Sequence, residues 1–247
     1  MKKAFWNKIK ETAEEITDRI LCIIYPPRCL GCGELIPYGK DNLCKKCRTE
    51  LENERDEGCL GCGKPFYKCR CKPDYLSGKT LMTALPYKSE NSVCRELILH
   101  CKRYKRRAVF IELASHMAEV MYKNGIGDEY FLTFSPRAGV KGLGHDQAKE
   151  ICRELSKITG TPMITTLKCK DTHKEQKTLR LNKRRQNAFE RYRVPKGYVK
   201  RIKNRPFIMI DDVVTSGATI DRCASLLYEN GATDVICFCA ARTVGYL

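Results

Sequence analysis

Two adjacent acids and a loop of small hydroxyl residues form the segment of this chain best suited to chemistry. Asp211 and Asp212 follow the apolar run 207–210, and a turn of threonine, serine and glycine comes directly after them. Continuous apolar runs are typical of parallel strands buried on both faces, and ligands of open α/β sheets bind at the carboxyl ends of such strands. A helix that begins near Thr219 presents free backbone N–H groups, which bind phosphate. The carboxylates can accept hydrogen bonds from sugar hydroxyls or hold a hydrated Mg²⁺, and the neighbouring backbone amides can bind a phosphate. Together these groups indicate a phosphorylated ribose as the ligand.

The same segment resembles the phosphoribosyl pyrophosphate (PRPP) signature of type I phosphoribosyltransferases. That signature joins a hydrophobic strand, two acids and a T-[TS]-G-[AG]-T loop, and residues 207–219 match it. An ordinary strand, turn and helix with an acidic N-cap is the alternative interpretation. Gly217 lacks a Cβ, so we expect the backbone there to approach the anion closely. The resemblance implies that PRPP, bound with Mg²⁺, contacts Asp211, Asp212, Thr215, Ser216, Gly217, Ala218 and Thr219.

The chain has sixteen cysteines, a second group with clear chemical potential. Eight of them form four close pairs, two of which lie in the repeated sequence C-L-G-C-G. Two thiolates that lie two residues apart can hold one metal from a single turn, and two such pairs complete a tetrahedron. We expect a duplicated zinc ribbon with two structural sites, formed by Cys29, Cys32, Cys44 and Cys47 and by Cys59, Cys62, Cys69 and Cys71.

An interleaved pairing of these knuckles fits the spacing as well, whereas a redox C-x-x-C explains one pair rather than four. Residues 29–75 are short and polar, so we expect little apolar core in them. Zinc supplies on the order of 10–16 kcal/mol in such modules, which would make the metal their main support. The other cysteines lie mostly in apolar patterns, and we expect them to be core residues.

Length, charge and composition narrow the class of protein. The 247 residues are enough for one large or two modest cores. The sequence has no apolar run of eighteen residues, no secretory h-region and no G-x-x-x-x-G-K-[ST] motif, which argues against a membrane span, export and a P-loop NTPase. We therefore expect a cytoplasmic protein, and its formal charge of +17 favours an anionic partner.

Periodicity predicts the elements that position residues Asp211–Thr219, which we name the PRPP loop for this resemblance. Residues 1–24 read as an amphipathic helix that packs on the protein or docks a partner, with binding to the inner face of the membrane as the alternative. A zinc module over 25–75 follows, and then an α/β domain over 80–247. Alternating strands and helices in this domain predict a parallel sheet. Strands are expected at Leu81–Tyr87, Tyr130–Phe134, Met163–Leu167 and Cys237–Ala241, and helices from Ser92 to Cys101, Val109 to Tyr122, Asp146 to Thr159 and Thr219 to Asn230.

Two basic segments fit a nucleic-acid partner. Residues 168–205 carry fifteen Lys and Arg against three Asp and Glu, and we expect part of this stretch to be a mobile active-site loop and part a nucleic-acid surface. The second segment, named the basic cluster, has cations for phosphates and a tyrosine that can stack on a base. A solvated helix end is its plainer interpretation. The basic cluster consists of Lys102, Arg103, Tyr104, Lys105, Arg106 and Arg107.

The order of these motifs resembles the ComF family of phosphoribosyltransferase-like proteins nearly from end to end. Tyr25–Gly33 resembles the opening of that family, Leu97–Lys105 resembles its Y…LI…K segment, and Gly144–Ala148 resembles its G-F-N-Q-A motif. The run from Thr172 to Asn187 has the spacing of its T…Q…L…R..N pattern. The chain departs from the family where pyrophosphate and acceptor would be handled, since Phe-Asn of that motif is His145-Asp146 here. We expect His145 to lie at the surface rather than to act as a general base.

The resemblance implies a type I phosphoribosyltransferase-like parallel sheet behind a Cys₄ zinc-ribbon module, with two structural Zn²⁺ ions and with Mg²⁺ bound together with PRPP. It further implies that the protein binds single-stranded DNA during DNA uptake in natural competence. An active phosphoribosyltransferase with an unknown acceptor and a zinc-stapled docking module for a DNA-translocation motor are the alternatives. The candidates for the pyrophosphate site and flexible loop are Pro136, Arg137, Gln176, Arg180 and Arg184.

Overall fold

Four parallel strands form the centre of the fold in the computed structural model. They lie side by side in the order β1–β6–β5–β2, and the two strands between β2 and β5 in sequence form a separate short antiparallel pair. The expected α/β class with a parallel sheet is confirmed. The strands are β1 (Thr80–Tyr87), β2 (Phe131–Phe134), β3 (Lys168–Cys169), β4 (Tyr192–Arg193), β5 (Pro206–Val214) and β6 (Asp234–Thr243).

The structure describes residues 26–39, 41–88, 90–127, 129–137, 145–170 and 191–244. The predicted helix over 1–24 and the candidate loop residues Gln176, Arg180 and Arg184 lie outside these ranges.

Four helices begin and end close to the predicted residues, whereas the helices Lys45–Asp56 and Val199–Ile202 were not predicted. Ser92 and Asp146 cap their helices with side-chain oxygens that accept from backbone N–H groups three residues later, and Gly160 takes the left-handed conformation (φ 75°) that ends a helix. The helices are α1 (Lys45–Asp56), α2 (Val93–Arg103), α3 (Arg107–Lys123), α4 (Gln147–Thr159), α5 (Val199–Ile202) and α6 (Ala218–Glu229).

Alternate residues of the sheet enter two cores, as expected for strands covered on both faces. On one face Ile208, Ile210 and Phe238 pack with residues of α1 to α4. On the other face Phe207 and Met209 pack with α6. The side chains at the end of β5 therefore leave the sheet from a strand that is fixed on both sides.

Two local predictions were incomplete. Met163–Leu167 was predicted as a strand, but only Met163 forms a bridge, to Leu132 at the edge of the sheet. The segment 29–75 was expected to have little apolar core, yet it contains α1 and contributes Leu30, Leu43 and Leu51 to the core under α2 to α4. Zinc is therefore not the sole support of this segment.

The cysteines outside the four pairs are core residues wherever the structure describes them, apart from the half-buried Cys169. Among the described helices, none has the length and apolar character needed to cross a membrane.

Candidate functional sites: two thiol clusters and a polar cavity

The eight paired cysteines come together in two groups of four, in the expected rather than the interleaved arrangement. The first thiol cluster holds Cys29, Cys32, Cys44 and Cys47, the second holds Cys59, Cys62, Cys69 and Cys71, and in each all four sulfurs lie within 4.8 Å of one another. The sulfurs of Cys32 and Cys44 are 3.8 Å apart in the first cluster, and those of Cys62 and Cys69 are 3.7 Å apart in the second. A tetrahedral zinc with Zn–S bonds of about 2.3 Å places its sulfurs about 3.8 Å apart, so both clusters fit a structural zinc ion.

The repeated C-L-G-C-G sequence folds into the same knuckle twice. Gly33 and Gly63 both have positive φ angles, of 77° and 67°, a conformation that costs glycine little. In the first knuckle a Cβ on Gly31 would lie 2.8 Å from the sulfur of Cys47, so only glycine fits against the cluster. In the second knuckle a Cβ on Gly61 would make only ordinary contact, 3.7 Å from the sulfur of Cys71, so the glycine that both knuckles require is the one with a positive φ.

The backbone favours thiolates at one cysteine of each cluster. Burial acts to raise the pKa of Cys29, but backbone N–H groups that donate to its sulfur bring that pKa down to about 7. Burial likewise opposes ionisation of Cys59, but backbone N–H groups and Arg242 lower its pKa to about 6. The thiolate is the form that binds metal.

Arg242, at the end of β6, neutralises part of the charge of the second thiol cluster. Its Nη2 lies 3.2 Å from the sulfur of Cys59 and 3.4 Å from that of Cys69, and its Nη1 donates to the carbonyl of Cys71 at 3.0 Å. Four thiolates around Zn²⁺ leave two negative charges, so a buried guanidinium in this position stabilises the metal-loaded cluster.

A polar cavity of about 360 Å³ lies at the carboxyl ends of β2 and β5. Parallel α/β sheets bind ligands at this edge. The acids and Thr219 come from the predicted PRPP loop, and the opposite wall comes from the ends of α2, α4 and β4. The lining residues are Lys102, Ser135, Pro136, Arg137, Asp146, Gln147, Ala148, Arg191, Tyr192, Asp211, Asp212, Val213 and Thr219.

Asp211 is buried at the floor of this cavity. Its Oδ1 accepts hydrogen bonds from the Ser135 hydroxyl at 2.7 Å and from the backbone N–H of Asp212 at 3.0 Å. Burial, together with the like charge of Asp212, raises the pKa of Asp211 to about 8. Burial also raises the pKa of Asp146. A cation bound in the cavity would therefore lower the pKa of these acids and stabilise their ionised forms.

Cations and an unpaired amide complete the wall. Lys102, Arg137 and Arg191 line the cavity beside the acids. Gln147 is only 6 % exposed; its Oε1 accepts from Arg137 at 3.1 Å, whereas its Nε2 has no partner in the described part of the chain. A buried amide without an acceptor is costly, so this group is suited to donate to a ligand.

The segment that follows the second thiol cluster holds the PRPP loop in place by hydrogen bonds. The Tyr75 hydroxyl donates to the carbonyl of Ser216. The backbone N–H and hydroxyl of Ser77 donate to Asp221, in the first turn of α6, at 2.7 and 2.8 Å. Gly217 has a φ of 72°, and a Cβ there would make only ordinary contact with Tyr75, at 3.5 Å. The positive φ is therefore by itself a reason for glycine at this position.

The structure brings only part of the predicted set into the cavity. Asp211, Asp212, Thr219, Pro136 and Arg137 line it, whereas Thr215, Ser216 and Gly217 form a turn outside the lining and Ala218 begins α6. Five lining residues were not predicted from the sequence, and Lys102 was assigned to nucleic acid alone; the five are Gln147, Asp146, Ser135, Arg191 and Tyr192. The resemblance of residues 144–148 to the G-F-N-Q-A motif was the signal for the first two.

The residues of the basic cluster have different surroundings in the folded protein. Lys102 lines the cavity, and Arg107 forms two hydrogen bonds of 3.2 Å with Glu154. Arg103, Lys105 and Arg106 remain exposed, as does Tyr104, with the Arg106 guanidinium 5.4 Å from its ring. These four residues are the part of the cluster that is open to a partner.

His145 does not lie at the surface as expected. It is 6 % exposed, its Nε2 lies 2.7 Å from the carbonyl oxygen of Cys101, and its ring meets Phe110 edge to face. The side chain therefore joins α2 to the start of α4, which is a structural role.

The fold and sites define a parallel α/β protein with a double zinc ribbon at its amino-terminal side. Residues 20–80 match the double zinc ribbon domain family. The DNA utilization protein YhgH of Salmonella typhi is 32% identical over 239 residues, covering 89% of this chain and 98% of that protein. The protein of the same name from Shigella flexneri is 32% identical over 236 residues, with the same coverage. The chain belongs to the ComF-like family that includes YhgH.

Solved structures give weaker matches. An allosteric regulatory enzyme of purine biosynthesis is 16% identical with a TM-score of 0.37, and the match covers 58% of this chain but only 30% of that one. A hypoxanthine phosphoribosyltransferase from Staphylococcus aureus is 10% identical with a TM-score of 0.36, covering 59% and 80%. These scores are too low to assign a fold or an activity by themselves.

We predict two zinc ions per purified chain, since both thiol clusters have tetrahedral spacing. Cys32→Ser should reduce the content to one, because Cys32 is a ligand of the first cluster only, whereas Cys169→Ser should leave two. Elemental analysis of the dialysed proteins measures this. One zinc in the unmodified protein would mean that the narrow Cys69-x-Cys71 pair fails to close the second cluster.

We also predict that Asp211 makes folding stability depend on pH. Its pKa is about 8 in the folded protein and about 3.9 in an unfolded chain, so between these values the folded state binds the extra proton and stability falls as pH rises. The slope from this group is at most about 1.4 kcal/mol per pH unit between pH 5 and 7. Denaturant unfolding of wild type and Asp211→Asn should show that the variant lacks this decline. Parallel profiles for the two proteins would contradict the assignment.

Proposed function

We propose that this chain binds PRPP or a ribose 5-phosphate with Mg²⁺ in the polar cavity and acts on single-stranded DNA in DNA uptake. The observation that carries the ligand assignment is that Asp211, Asp212 and Thr219 line the same cavity as Lys102 and Arg137. Acids for a sugar or cation and cations for phosphates thus lie in one cavity at the ligand-binding edge of the sheet.

Mg²⁺ fits this cavity only as part of the ligand. Among the described residues, only the two thiol clusters bring three or more possible ligand atoms within 4.8 Å of one another, so the acids alone do not form a complete cation site. Mg²⁺ binds readily through one or two carboxylates together with substrate phosphates. Asp211 and Asp212 would hold the ion or the ribose hydroxyls, and Arg137, Lys102 and the Gln147 amide would bind phosphate oxygens.

The DNA part of the proposal has two supports. The relatives of this chain are named for DNA utilization, and the exposed residues of the basic cluster combine cations with an aromatic ring. Single strands are bound in this way, by phosphate contacts and by stacking of bases on aromatic side chains. We place the protein on the cytoplasmic side of DNA uptake, where incoming DNA is single-stranded.

A phosphoribosyl transfer reaction is the second candidate, and the unpartnered Gln147 amide beside Arg137 favours it. In that reaction an acceptor nitrogen forms a bond to C1 of the ribose while the bond from C1 to pyrophosphate breaks, and the acceptor loses a proton. Arg137 and Lys102 would stabilise the charge that develops on pyrophosphate. A zinc-stapled docking module is the third candidate, and it requires no small-molecule affinity at all.

Calorimetry separates the three functions. PRPP with Mg²⁺ and a short oligonucleotide are titrated into the same preparation, each alone and then in the presence of the other. Binding of both ligands supports the proposal, release of pyrophosphate with a candidate acceptor supports the transferase, and binding of neither leaves the docking module.

We predict that Asp211→Asn combined with Asp212→Asn weakens Mg²⁺–PRPP binding at least about tenfold, since each lost charge-assisted contact is worth roughly 1.5–3 kcal/mol. Asp56→Asn combined with Asp74→Asn is the matched control, because both residues are exposed and neither lines the cavity. Calorimetric affinities measure the effect. Equal affinities for the two double variants would place the ligand elsewhere.

We predict that single-stranded DNA binding weakens steeply with salt and that the basic cluster carries part of the salt dependence. Arg103→Ala combined with Arg106→Ala should make the slope of log K against log salt less negative by about 1.4, at roughly 0.7 per phosphate contact. Tyr104→Ala should weaken binding by about 1–3 kcal/mol and leave the slope unchanged, because stacking releases no counterions. Anisotropy titrations at several salt concentrations measure both. Unchanged slope and affinity in all variants would remove the basic cluster from the DNA site.

A further inference from the structure

A second basic surface lies between the second thiol cluster and the end of α3 and shares no lining residue with the polar cavity. It is an open groove of about 660 Å³, which we name the ribbon groove. Its walls are Lys64, Tyr67, Lys68, Arg70, Lys123 and Asn124. Four of these six residues are cations and one is aromatic, and neither the cavity nor the basic cluster includes any of them.

The groove is built around the ring of Tyr67. Lys123 Nζ lies 4.7 Å from the ring centroid and Lys68 Nζ lies 5.6 Å from it. Arg70 is fixed in place, since its Nη1 donates to the carbonyl oxygens of Tyr67 and Cys69 at 3.2 and 2.8 Å and its Nη2 donates to Asn124. The floor of the groove is therefore preorganised, whereas its lysines remain on the rim.

The positive charge of the rim is largely uncompensated. Lys123 pairs with Glu119 at 2.8 Å, but no ion pair joins Lys64 or Lys68 to an acid in the described part of the chain, and both are exposed. The negative charge of the metal-loaded second cluster is met by Arg242, which does not line the groove. The two lysines are thus available to an anionic ligand.

The position of the groove connects it with the basic cluster. Arg107 begins α3 and Lys123 ends it, so the basic cluster and the ribbon groove lie at opposite ends of one helix. The sixteen steps between these residues, at 1.5 Å each, separate the two surfaces by about 24 Å. At about 3.4 Å per nucleotide of a stacked strand, this distance corresponds to roughly seven nucleotides.

We propose that the ribbon groove is a second binding site for the sugar–phosphate backbone of single-stranded nucleic acid, with Lys64 and Lys68 on phosphates and Tyr67 available to a base. A strand that leaves the basic cluster then reaches the groove along α3, so the two sites bind one molecule. This inference rests on the proposed function and extends it from one contact surface to two. Linked sites of this kind raise affinity for ligands long enough to span both.

The test uses the zinc-loaded full chain and fluorescent oligothymidylates of four and sixteen nucleotides. Lys64→Ala combined with Lys68→Ala is the groove variant, and Lys45→Ala combined with Lys46→Ala is its control of equal charge, since both control residues are exposed in the first turn of α1. Relative to the control, the groove variant should bind the sixteen-nucleotide strand about tenfold more weakly, with a salt slope less negative by about 1.4. It should also lose most of the gain in affinity between four and sixteen nucleotides.

Failure of the groove proposal and failure of the proposed DNA function give different results in this test. Equal affinity in the groove and control variants, while Arg103→Ala with Arg106→Ala weakens binding, would overturn the groove and leave the proposed DNA function in place. No loss in any variant would overturn the groove and remove the basic cluster from the DNA site, and failure of the unmodified chain to bind either oligonucleotide would overturn the proposed DNA function as well. A polyglutamate peptide and unlabelled oligonucleotide are also compared as competitors of the labelled strand. If the peptide displaces the strand from the groove at the same concentration as the oligonucleotide does, the groove is assigned to acidic protein instead. Zinc content and thermal unfolding of the groove variant should match the control, since both lysines are exposed and neither belongs to a thiol cluster.

Discussion

The guanidinium group of Arg242 joins the metal-binding module to the sheet. It lies at the end of β6, directly opposite Val214 of β5, and it contacts two sulfurs of the second thiol cluster and the ring of Phe66. The chain leaves that cluster and reaches the PRPP loop within a few residues, where Tyr75 and Ser77 hold the turn and the start of α6. Two parts of the protein thus hold the candidate ligand site in place: strand β5 and the segment that follows the second thiol cluster.

The polar cavity concentrates opposite charges that the protein itself leaves incompletely paired. Asp211 accepts hydrogen bonds from a hydroxyl and a backbone N–H rather than from a cation. The guanidinium of Arg137 donates to an amide oxygen, and only the backbone N–H of Arg137 donates to Asp146. Direct ion pairs would have stabilised the empty site and would have to break on binding. Their absence among these residues suits a ligand that carries both a divalent cation and phosphates.

Sequence patterns predicted most of the fold because its elements follow simple rules. Continuous apolar runs gave β5 and β6, and the caps at Ser92 and Asp146 gave the starts of two helices. Helix α1 was missed because Cys44, a metal ligand, is also its N-cap residue. The cavity wall formed by Lys102 and Gln147 was missed because it depends on how the ends of α2 and α4 meet, which local spacing does not encode. The two thiol clusters were the easiest to predict, since their ligand spacing is itself local.

The cysteines of the core set a condition for handling this molecule. Cys94, Cys101, Cys152, Cys223, Cys237 and Cys239 are fully buried, and burial raises the pKa of each thiol, so in the native state they are protonated and out of reach of oxidants. Unfolding exposes them together with the thiols released from the two metal sites. With sixteen cysteines in one chain, disulfide scrambling then competes with refolding, and denaturation in air becomes irreversible unless a reductant and zinc are supplied.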